Sequence, residues 1–196
     1  MGALIFSGGL ISTLLAIRAY KAYNCHRSPF VKHFTLVMLG MTLWSINYAF
    51  EIGFLEPGQK YFFARLQYLG LSFIPVSWFL FTSEYSGIGI QFARKYEKLL
   101  YLLPCSVILL MVTNNVHGLF FESFHLDYSR EFPLLIIQHG PLFWIFYLYS
   151  FVLLVLGIFL LFKQFVRLTA PYGTQQASLL PQPVFRFLGI YFISQM

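Results

Sequence analysis

PLFWIFYLYSFVLLVLGIFLLF, residues Pro141–Phe162, is a run of 22 residues without one charged side chain. At 1.5 Å per residue a helix of that length covers about 33 Å, enough to cross about 30 Å of hydrocarbon. Inside lipid no water satisfies an open strand, so the run must be helical. Basic residues, Lys163 and Arg167, begin as soon as it ends.

The same character extends over the whole chain. Of its 196 residues 58% are hydrophobic, 20% aromatic and only 10% charged. A water-soluble domain carries about 25% charged residues, so much of this surface must face lipid. The net charge of +6 comes from short clusters between apolar runs. No basic stripe with interleaved stacking aromatics is present, which argues against nucleic-acid binding. Cys25 and Cys105 form neither a disulfide framework nor a CxxC metal site. The first helix is uncharged before Arg18 and Lys21, the reverse of a signal peptide, and reads as a retained anchor.

Four more runs have spanning length: about 3–20, 34–55, 62–85 and 99–116. Arg18, Lys21, Arg27, Lys32, Arg94, Lys95, Lys98, Lys163 and Arg167 fall on one side of the implied bundle. Only Lys60, Arg65 and Arg130 fall on the other. The positive-inside rule then places the N-terminus outside a plasma membrane. After Arg167 a polar stretch leads to Pro181 and Pro183, and the tail 184–196 is too short to cross. The expected fold is all-α: a polytopic transmembrane bundle with five full spans over 3–180 and an incomplete or interfacial sixth helix in 181–196.

Glu51 and Arg65 each stand seven positions from Gly58 in the turn between helices two and three, so an antiparallel hairpin puts them at equal depth. An ionised group in lipid costs about 2.5–3.5 kcal/mol unless paired or facing a cavity. The expectation is an intramembrane ion pair, serving either as a helix staple or as the lining of an outward ligand pocket. Trp44, Asn47, Tyr48 and Glu51 share one helical face, and Tyr68 lies near the depth of Asn47. That polar face belongs inside the bundle, as interhelical hydrogen bonding or as part of the pocket. Pro75 and Pro104 are expected to kink helices three and four. Asn114 and His117 belong to a polar helix end at the outer surface. His117, Glu122, His125 and His139 match no metal-site spacing, and no metal or other cofactor is expected. HExxH, GxSxG and a Walker phosphate loop are all missing.

Several of these features occur in one order: Trp44, Tyr48 and Glu51; Arg65-Leu66-Gln67-Tyr68-Leu69-Gly70; Ile74-Pro75-Val76-Ser77-Trp78; Tyr85-Ser86-Gly87; Pro104; Thr113-Asn114-Asn115-Val116-His117; Gly140-Pro141 with Tyr147; and Gln175-Gln176-Ala177. In that order the sequence resembles the N-terminal seven-transmembrane sensor region of membrane-bound histidine kinases. The resemblance covers about residues 3–180. It implies a signal-input module of a two-component system, normally joined to a phosphoacceptor helix pair and an ATP-binding domain. No phosphoacceptor histidine or ATP-binding glycine box can be assigned in this sequence, so the expectation is a truncated or orphan sensor region, the remnant of a disrupted gene, without kinase activity. The partners it implies are membrane lipid, an unknown small ligand, and a homodimer mate or separate signalling protein. The competing expectation is a small transporter or facilitator subunit, which kinked helices and an intramembrane acid–base pair would suit.

Overall fold

The computed structural model describes residues 2–26, 28–127 and 134–169. Six helices lie among them: α1 (Gly2–His26), α2 (Pro29–Gly53), α3 (Pro57–Leu71), α4 (Ile74–Ser86), α5 (Ile90–His117) and α6 (Pro141–Thr169). The chain divides into a compact unit, Met1–Phe162, and a second, Lys163–Met196. Of the second only the end of α6 is described, so the expected short helix at 184–196 lies outside the described residues, as does Arg130.

The helical class agrees with the sequence, with one addition. Between α5 and α6 the chain carries an antiparallel pair, β1 (Phe121–Asp127) and β2 (Leu134–His139). Leu135, Ile137 and His139 are half-buried while Ile136 and Gln138 are exposed, the period-two alternation of a one-sided ribbon.

Among the described residues two helices, α5 and α6, are long and apolar enough to cross a membrane on their own. The expected third span, 62–85, is two helices. Pro75 has no N–H to give the carbonyl of Leu71, and its ring clashes with that carbonyl. The chain therefore stops α3 at Leu71 and restarts as α4 with Pro75 in the first turn, where a missing N–H costs nothing. Bonds from Ser72 N–H to Tyr68 O (3.1 Å) and from Ser77 N–H to Phe73 O (3.0 Å) carry the backbone across the break. Pro75 thus starts a helix and does not kink one.

Pro104 behaves differently, for α5 runs through it. The carbonyl it deprives is that of Leu100, four residues back. Tyr149 of α6 donates its hydroxyl to that oxygen at 2.7 Å. A neighbouring helix thus supplies the missing bond, the condition under which a membrane helix tolerates an interior proline.

Small residues let the helices approach. At the α2–α3 crossing a Cβ on Gly70 would stand 2.3 Å from the carbonyl oxygen of Gly40, so only glycine fits. Trp78 of α4 lies over Gly157 of α6, where a Cβ would come within 2.3 Å of its indole nitrogen. Close approach through small residues is the main packing device available to helices in lipid.

The Tyr149–Pro104 relation can be measured. Tyr149→Phe should cost about 1–2 kcal/mol of thermal stability in detergent by leaving the Leu100 carbonyl unmet. Pro104→Ala restores an N–H for that carbonyl, so in its background Tyr149→Phe should cost much less. Additive losses in the double-mutant cycle would refute the pairing.

Candidate functional site

The polar side chains converge where α3, the end of α5 and the hairpin meet. Asn114, buried on α5, is the hub. Its Oδ1 accepts from the N–H groups of Phe120 and Phe121, both at 3.0 Å, and its Nδ2 donates to Phe121 O at 2.8 Å. Its own carbonyl receives the N–H of Gly118 at 2.8 Å, and Gly118 is left-handed (φ 59°). This is the single-bond glycine cap of a helix C-terminus. His117 completes the end: its Nδ1 accepts from Leu119 N–H at 3.0 Å, which leaves Nε2 to donate to Thr113 Oγ1 at 3.0 Å. Both residues expected at a polar helix end are there, and both are spent on closing it.

The hairpin is then tied back to α6. Gly140 N–H donates to Phe120 O at 2.9 Å and Leu142 N–H to Leu119 O at 3.1 Å. A Cβ on Gly140 would sit 2.2 Å from Leu119 O, so a side chain there would break the closure. Tyr68 packs edge-on against Phe120 and Phe121, with ring centroids 5.4 and 5.2 Å away. Tyr61 stacks on Phe124 at 4.2 Å. His139 lies 3.8 Å from the Phe143 ring. Burial holds its imidazole below the ordinary histidine pKa, so the neutral ring is the form that packs.

Glu51 and Arg65 do not pair. Glu51 Oε2 accepts from Gln67 Nε2 of α3, and the backbone carbonyl of Glu51 receives Lys60 Nζ at 2.9 Å. Arg65 turns the other way, to α5. It donates to Met111 O, lies 3.4 Å from Asn115 Oδ1, and rests over the Tyr61 ring at 5.4 Å. The two side chains face different helices, Glu51 toward α3 and Arg65 toward α5. Carbonyls near the negative end of α5 attract the guanidinium without a carboxylate. Asn47 is buried as expected and donates to its own helix at Leu43 O, 2.7 Å away. Trp44 is 39% exposed and stacks on Tyr48, so it faces outward and not into a polar interior.

Between these elements is a cavity of about 360 Å³ lined by Tyr61, Asn114, Asn115, Gly118, Phe121, Glu122, Ser123 and Phe124. Its size suits a small ligand, and its walls mix aromatic rings with amide, hydroxyl and carboxylate groups. No metal-binding group of histidine, cysteine, aspartate and glutamate occurs among the described residues. Sequence reasoning missed Tyr61, Gln67, Lys60 and Ser123. Gln67 and Lys60 carried a signal, for both lie within reach of the helix-two end once the turn at Gly58 is drawn.

These features define a helical bundle with long apolar helices and a polar cavity beneath a short hairpin. The chain belongs to the family described as the N-terminal seven-transmembrane region of histidine kinases, whose model matches residues 4–190. No curated protein matches it, and no solved structure does. The family favours the input-module expectation, and nothing found supports the transporter expectation.

Asn114→Ala removes three hydrogen bonds and strands two buried N–H groups. It should cost about 2–4 kcal/mol and raise hydrogen exchange across β1 while leaving α1 and α2 protected. Unchanged exchange in residues 119–126 would show that the hairpin holds itself.

Proposed function

We propose that the chain is a membrane sensory input module whose stimulus acts on the cavity beneath the hairpin. Five crossings are made by α1, α2, the α3–α4 pair, α5 and α6, in a plasma membrane with the N-terminus and the hairpin outside. The observation that carries the reading is the joint role of Asn114. It walls the cavity and holds the backbone that joins hairpin to α5. A ligand seated against it therefore bears directly on a spanning helix. A stimulus shifts such a bundle only as far as it prefers one arrangement over another, and α5 is the element placed to feel that preference. Glu51, Gln67 and Arg65 serve this reading as the braces that hold α3 to its neighbours, and Tyr68 as the aromatic floor under the hairpin.

The orientation is tested by labelling. Glu122→Cys should react with a membrane-impermeant maleimide on intact cells, and Lys98→Cys only after lysis. The opposite pattern would invert the topology.

The sensory reading is tested by filling the cavity. Ser123→Trp acts as a tethered surrogate ligand. It should change amide exchange in residues 90–98, at the far end of α5, by about fivefold or more, the low end of coupling between linked sites. A change confined to the hairpin would leave the cavity without a route to the other end, and the reading would fail.

A further inference from the structure

At the end of the bundle away from the hairpin, α2, α4 and α5 meet through side chains that the cavity does not use. His33 on α2 is 3% exposed. Its Nδ1 is 3.5 Å from the hydroxyl of Tyr101 on α5, and that hydroxyl is 3.1 Å from Ser77 Oγ on α4. One turn earlier on α5, Glu97 accepts from Lys32 Nζ at 2.8 Å. The phenol of Tyr101 thus joins three helices, one residue beyond the Leu100 carbonyl that Tyr149 of α6 holds.

The arrangement depends on the charge of one ring. A neutral imidazole that presents Nδ1 as acceptor receives the hydrogen bond of the Tyr101 hydroxyl, and Tyr101 in turn accepts from Ser77. A protonated imidazole has two donors and no acceptor. Tyr101 must then turn its hydrogen toward Ser77, and Ser77 needs a new acceptor. The groups acting on the ring are Lys32 from α2, Glu84 from α4, and Glu97 and Tyr101 from α5. Neither carboxylate is idle. Glu97 holds Lys32, and Glu84 accepts from two nitrogens of Arg94 at 2.8 and 2.9 Å. A buried cation without a carboxylate of its own is strongly unfavourable. Opening the contact to water is the cheaper outcome.

We propose that His33 is a proton-binding switch: a proton taken up there reverses the donors of the His33–Tyr101–Ser77 chain and loosens α2 against α4 and α5. Its ligand is the hydrogen ion of the compartment at that end, which is the cytoplasm in the orientation proposed above. The module then has a second input, internal acidity, beside its external one.

The test uses the full chain in lipid nanodiscs, which expose both ends to the buffer and make the result independent of topology. Spin labels go on Leu39 of α2 and Leu102 of α5, both exposed, with Cys25 and Cys105 replaced by serine. Pulsed paramagnetic resonance then reads their separation from pH 8 to pH 5. The wild type should lengthen by about 2 Å on acidification, the scale of helix shifts in switching proteins. His33→Gln should stay at the alkaline distance throughout, because its amide oxygen still accepts from Tyr101. Tyr101→Phe should show the lengthened distance already at pH 8, with no further response, and it carries the test alone if His33→Gln does not fold. His139→Gln, altered at the opposite end, should respond as the wild type does. The proposal is overturned if the wild type does not move, if His33→Gln or Tyr101→Phe keeps the wild-type response, or if His139→Gln loses it.

Discussion

A backbone carbonyl inside hydrocarbon has no water to turn to, and this bundle is organised around that constraint. Pro104 frees the Leu100 carbonyl, and Tyr149 reaches over from α6 to meet it. The carbonyl of Glu51, near the end of α2, receives Lys60, and that of Met111 receives Arg65. Where α5 ends, Asn114 does for the hairpin backbone what a next helical turn would have done. Polar side chains here mostly serve the backbone and only secondarily one another.

The same constraint explains why the expected Glu51–Arg65 pair does not form. Two charges at equal depth gain from pairing only if no better partners compete. Arg65 is flanked by carbonyl oxygens near the negative end of α5, and Glu51 by a glutamine amide and the charge of Lys60. Each group is satisfied where it stands, without the loss of side-chain freedom that a long ion pair would demand. Close contact between the helices falls instead to residues with almost no side chain. Gly40 against Gly70 brings two backbones together with nothing polar to bury.

Much of the fold was legible from the sequence. The apolar runs at 99–116 and 141–162 lie inside α5 and α6, and each proline removes an N–H from the helical ladder. What the chain does about each loss was not legible. Pro75 ends one helix and starts another because the chain around it closes through Ser72 and Phe73, whereas Pro104 stays within a helix because a tyrosine 45 positions later supplies a proton. That partner depends on how α6 is tilted and turned, which hydropathy does not encode. The hairpin was obscured for a related reason. Leu134 to Ile137 is as apolar as a helix segment, and its two-residue period covers too few positions to stand out from a loop. None of the expected pocket residues Glu51, Arg65, Asn47, Tyr68 and Trp44 lines the cavity, whose walls come from α3, the end of α5 and β1. Distances between those elements are tertiary facts.

One helix, α5, reaches both ends of this arrangement. At one end Asn114 fixes it to the hairpin, and at the other Glu97, Tyr101 and Arg94 fix it to α2 and α4. Between them is Pro104, where the helix lacks its own bond and borrows one from Tyr149. A hydroxyl bond between two helices is easier to exchange than a backbone bond within one, since only a side-chain torsion must change. The borrowed bond therefore sets the stiffness of α5 at the point where its two ends are joined. An unbroken helix would transmit a push at the hairpin as rigid movement, and a helix with no substitute bond would absorb it. In this bundle the Tyr149 hydroxyl bond places α5 between those two cases.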